Sequence, residues 1–81
     1  MKGSGMKRTS AEITRYTSGD FEIDVADTGT MYEAWIGHKV IVIKELMFSV
    51  PHENTTKKEF LERIIRSLPR YKKSFLEGKT I

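Results

Sequence analysis

Eighty-one residues, no cysteine and a net charge of +3 limit the chain to one domain without disulfides, thiolate metal sites or thiol redox chemistry. A hydrophobic fraction of 38% with eight aromatic residues is enough for a small core, which at this length needs nearly every large apolar side chain. Little remains to line a deep substrate cavity, and the longest apolar run, Val40 to Ile43, is four residues, far short of a membrane span.

The net charge conceals an asymmetry. Residues 1–19 carry +3, residues 20–54 carry −5 and residues 55–81 carry +5, so an acidic middle lies between basic ends. Met1-Lys2-Gly3-Ser4-Gly5 ahead of a second methionine, Met6, reads as an added leader before a native start. No apolar stretch follows Lys2 as a secretory signal would require, and a cytoplasmic location is the expectation. Residues 1–10 are expected to be a disordered tail, 11–77 a single α+β domain and 78–81 a C-terminal tail.

Glu12 to Thr17 is rich in β-branched residues and predicts a first strand, followed by the turn signal Ser18-Gly19-Asp20. Phe21-Glu22-Ile23-Asp24-Val25 alternates strictly, placing three apolar residues on one face and two carboxylates on the other. Asp27-Thr28-Gly29-Thr30 supplies a second turn, Met31 to Ile36 a third strand, and Gly37-His38-Lys39 a third turn. Val40 to Ile43 is continuously apolar, which predicts a strand covered on both faces or central in the sheet. That strand continues through Leu46, Phe48 and Val50 with a bulge near Lys44-Glu45, and Pro51 ends it.

Thr56-Lys57-Lys58-Glu59 has the form of a capping box, and Phe60, Leu61, Ile64, Ile65 and Leu68 then recur at helical spacing. Tyr71, Phe75 and Leu76 continue the same stripe beyond Pro69. The reading is a helix from about Lys57 to Glu77, kinked at Pro69 and ended by Gly78, with two shorter helices as the alternative. The predicted fold is a three- to four-stranded antiparallel β-meander followed by a C-terminal amphipathic helix.

Two surfaces are candidates for function. Arg63, Arg66, Arg70 and Lys73 fall within about 80° on the helical wheel and, with Lys72, offer a row that could track phosphates. Glu59–Arg63 and Glu62–Arg66 have the i,i+4 spacing of bracing ion pairs, so Arg70, Lys72 and Lys73 are the expected unpaired cations. The second surface is the acidic sheet face, where Glu22 and Asp24 point together and Asp27 and Glu33 are placed to join them. Arg15 is a cross-strand partner for one of these carboxylates. Tyr32 and Trp35 on the sheet are the expected hot-spot anchors of a protein interface.

Catalytic chemistry finds no constellation. His38 and His52 are isolated, no serine sits in a nucleophile elbow, and the glycines form no phosphate-cradling loop. No enzyme activity, cofactor or metal is therefore expected. Tyr32-Glu33-Ala34-Trp35 together with Ile43-Lys44-Glu45-Leu46-Met47-Phe48-Ser49-Val50-Pro51 resembles small proteins of phages and other mobile elements of Gram-positive bacteria. Some anti-CRISPR proteins are similar in size and in the order of strands then helix. The resemblance implies a small accessory or inhibitory binding protein and assigns no functional residues. The expectation is a non-enzymatic protein-interaction module acting on a nucleic-acid-handling partner. The alternative is a nucleic-acid binder using the helix. No membrane partner is expected, and the opposite charges of the two surfaces make self-association conceivable.

Overall fold

The computed structural model describes residues 12–79. The expected leader, the whole N-terminal tail, Ala11 and the end of the C-terminal tail lie outside the described residues. Four strands, β1 (Glu12–Ser18), β2 (Phe21–Asp27), β3 (Met31–His38) and β4 (Glu45–Pro51), form one antiparallel sheet in the order β1-β2-β3-β4. A short 3₁₀ turn, His52–Asn54, leads into a single helix, α1 (Lys57–Lys79). This is the α+β meander with a C-terminal helix that the sequence pattern predicts.

The turns follow from their residues. Ser18 pairs with Phe21, so Gly19-Asp20 is a two-residue hairpin loop, and Gly19 takes a φ of 62° that side chains disfavour. After β2, the Asp27 carboxylate accepts the Gly29 amide at 2.9 Å and mimics one arm of a turn. The capping box forms as read: Thr56 Oγ1 accepts the Glu59 amide at 3.2 Å, and the Glu59 carboxylate accepts the Thr56 amide at 3.1 Å.

Alternation along β2 sends Phe21, Ile23 and Val25 to the helix side of the sheet. There they meet Ala34, Ile36 and Met47, and Phe60, Ile64 and Phe75 of α1. Helix and sheet are further tied by Tyr71, whose hydroxyl donates to the Met47 carbonyl at 3.3 Å. At the far end Lys72 Nζ donates to Ser18 Oγ at 2.7 Å.

Pro69 does not break the helix, which runs without interruption to Lys79 and includes Gly78. Proline removes one amide and frees the carbonyl four residues earlier. That carbonyl belongs to Ile65, and both Ile65 and Pro69 lie on the exposed side of α1, where water can satisfy it. The core contacts of Phe60, Ile64 and Phe75 on the other side hold the two halves together.

The strand expected at Val40 to Ile43 is absent. Ile36 of β3 pairs with Glu45, so Lys39 to Lys44 falls outside the β3–β4 ladder, without regular secondary structure. The loop is tied down at both ends. Lys39 donates its amide to the Asp20 carbonyl at 3.0 Å and its ammonium lies 3.0 Å from the Asp20 carboxylate, while Lys44 bonds Asp24. Only Ile41 packs against the core; Val40, Val42 and Ile43 are exposed, Val42 almost completely at 94%. Strand propensity describes fitness for a paired, half-buried position, and this segment has no ladder partner among the described residues. The irregularity in pairing occurs opposite Ala34-Trp35, where Phe48 and Leu46 are the successive partners and Met47 bulges into the core.

Candidate functional site

The outer face of the sheet, away from α1, carries Glu22, Asp24, Glu33 and Trp35. Asp24 is opposite Arg15 on one neighbour and Trp35 on the other, and Trp35 is opposite Leu46. Arg15 Nε donates to Asp24 Oδ1 at 2.8 Å and Arg15 Nη2 to Oδ2 at 3.3 Å, while Nη1 lies 3.8 Å from Glu22. Lys44 Nζ donates to Asp24 from the other side. Asp24 is consequently only 9% exposed yet doubly paired. The direct bond from Arg15, with Lys44 as second donor, holds its carboxyl below the usual carboxylate range against the opposing effect of burial.

The acidic face expected of β2 is therefore neutralised within the fold. Arg15 and Lys44 use the charge of Asp24, and Arg15 also approaches Glu22. Glu33 accepts the Trp35 indole N–H at 3.3 Å. Asp27 is not part of this surface: it lies on the helix side, its Oδ1 2.8 Å from His52 Nε2. The Gly29 amide is the main cause of a lowered Asp27 pKa, with His52 contributing.

Tyr32 and Trp35 do not form a joint anchor. Three residues apart on a strand, they point to opposite faces. Tyr32 stacks against His52 (ring centroids 4.2 Å apart) and Phe60 (5.4 Å) on the helix side, whereas half-buried Trp35 lies over the outer face. His52 is thereby a packed structural residue. His38 sets its ring edge-on to Phe21 at 5.0 Å and accepts the Val40 amide at 3.1 Å through Nδ1.

The basic row of α1 divides differently from the expectation. Neither Glu59–Arg63 nor Glu62–Arg66 closes into an ion pair among the described residues. The Glu59 carboxylate is occupied by the cap, and the Arg63 guanidinium lies over the Phe48 ring at 4.5 Å. Lys72, expected to be unpaired, is bound to Ser18 and lies 5.4 Å from the Phe21 ring centroid. Arg66, Arg70 and Lys73 remain exposed and without ion-pair partners among the described residues, Arg70 leaning 5.8 Å from the ring of its neighbour Tyr71.

A further feature escaped the sequence. The apolar stripe of α1 is wider than the surface the sheet offers it. Phe60, Ile64 and Phe75 are buried, but Ile65 is 69% exposed. Between α1 and β1 this leaves a groove of about 400 Å³ lined by Tyr16, Ser18, Ile23, Leu61, Ile65 and Leu68, among others. The signal was present in the stripe itself, which spans both Ile64 and Ile65, neighbours about 100° apart on a helix. Here the sheet covers Ile64 and leaves Ile65 outside.

Among the described residues no group of histidines and acidic residues is arranged to hold a metal ion, and no helix is long and apolar enough to cross a membrane. No family model, curated protein or solved structure matches the chain.

Proposed function

We propose that the chain is a small non-enzymatic protein-interaction module that holds its partner in the groove between β1 and α1. The single observation that carries this reading is Ile65, a large apolar side chain left exposed at the rim of an apolar groove. Tyr16, 41% exposed on the opposite wall, supplies the aromatic surface typical of interface anchors. The outer face is a weaker candidate, because the charges of Asp24 are already paired and a partner would have to compete with Arg15 and Lys44. The resemblance to small proteins of mobile elements supports an accessory or inhibitory role on a nucleic-acid-handling partner.

The second reading, direct nucleic-acid binding, is favoured by the exposure of Arg66, Arg70 and Lys73 along one side of α1. One comparison separates the two. A tagged chain and its Ile65→Asp variant are used to capture material from a bacterial lysate, with and without nuclease. Protein capture that survives nuclease and is lost in the variant supports the interaction module. Capture abolished by nuclease and indifferent to Ile65→Asp supports the nucleic-acid reading and removes the groove.

A further inference from the structure

The groove has a charge as well as an apolar lining. Ser18 forms part of its wall, and Lys72 Nζ is fixed on Ser18 Oγ at 2.7 Å, so an ammonium stands at the edge of the apolar surface. No carboxylate pairs with it among the described residues. Helical geometry places Lys58, Arg66 and Lys73 along the solvent flank beyond Ile65, with Glu62 as the acidic residue among them. The strand wall contributes Tyr16, Thr17 and Ser18, all uncharged. The groove is thus apolar at its floor and basic along its helix wall.

From this arrangement we infer that the occupant is a peptide segment of a partner protein that combines apolar anchors with acidic residues. The inference rests on the groove reading of the preceding subsection and specifies its chemistry. Apolar side chains would cover Ile65, Leu61 and Leu68, removing exposed hydrocarbon from water. The carboxylates would meet Lys72, Lys73 and Arg66, none of which is in an ion pair among the described residues. This complementarity raises the association rate and discriminates against basic segments. A peptide fits better than a single acyl chain because the apolar surface continues beyond the groove floor to Ile65 and Tyr16 at its two rims.

The test is selection of displayed random peptides on the full chain, followed by fluorescence-anisotropy titration of the enriched peptides at low and high salt. The expected result is enrichment of sequences with several apolar residues and net negative charge. Their affinity falls with salt and drops about five- to tenfold for each of Arg66→Glu and Lys73→Glu. Binding is lost in Ile65→Asp and in Tyr16→Lys, two exposed positions on opposite walls, whose folding is checked by thermal unfolding. Enriched peptides that are neutral or basic, yet still lost in Ile65→Asp, overturn the acidic specificity while leaving the groove as a binding site. Peptides indifferent to both wall variants, or no enrichment at all, overturn the inference. Displacement of the peptides by dodecanoate at comparable concentration would assign the groove to a small amphiphile and also overturn it.

Discussion

Lys44 reaches across the outer face of the sheet to Asp24, twenty residues away, by laying its side chain on Gly37. A methyl group at Gly37 would stand 3.0 Å from Lys44 Cγ, so the absence of a side chain there is what lets the lysine cross β3. Gly37→Ala should destabilise the fold by about 1 kcal/mol, because the lysine stem must shift off its path. Urea unfolding measures it. In a Lys44→Ala background the penalty should largely vanish, and a penalty of equal size in both backgrounds would disconnect the two residues.

Asp24 should make stability depend on acid. Its native pKa is lowered, first by the hydrogen bond from Arg15, so the unfolded chain binds its proton more readily than the folded one. The stabilisation is then fully present above the unfolded value of about 3.9 and is lost as pH falls through the lower folded value. Asp24→Asn should cost about 1–3 kcal/mol at neutral pH, since Arg15 and Lys44 lose their charged acceptor. Thermal unfolding between neutral and strongly acidic pH should show the gap between wild type and variant closing below about pH 4. A gap that stays constant would mean that the carboxylate charge contributes nothing.

Adjacent isoleucines on α1 should behave oppositely. Ile64 is 5% exposed and belongs to the core, so Ile64→Ala should cost about 2–5 kcal/mol. Ile65 is 69% exposed, and Ile65→Ala should change stability by less than about 0.5 kcal/mol. Denaturant midpoints of the two variants decide the matter; similar costs would mean that the helix is rotated from the described orientation.

The loop after β3 yields a prediction that the strand reading would reverse. Val42→Asp should leave stability within about 0.5 kcal/mol of wild type, because the side chain touches almost nothing. It should also raise solubility, since Val40 to Ile43 is a short β-prone apolar segment with no proline. Thermal unfolding and the protein concentration at onset of turbidity are the two readouts. A large loss of stability would show that the segment is paired after all.

The local signals of this chain were strong enough to determine most of its elements alone. Strict alternation of Phe21, Ile23 and Val25 fixes the inner face of β2, and the capping box of Thr56 and Glu59 marks where α1 begins. Both depend on residues within a few positions of one another, and so does the continuation of the apolar stripe past Pro69. Three matters were decided only by tertiary structure. The pairing of Ile36 with Glu45 leaves Val40 to Ile43 outside the β3–β4 ladder, however strong its strand propensity. Lys44, distant in sequence, joins Arg15 in neutralising Asp24, so an acidic strand does not become an acidic surface. The seating of α1 on the sheet buries Ile64 and leaves Ile65 exposed at the groove. Periodicity specifies which way a side chain points, whereas burial depends on what the rest of the chain places in front of it.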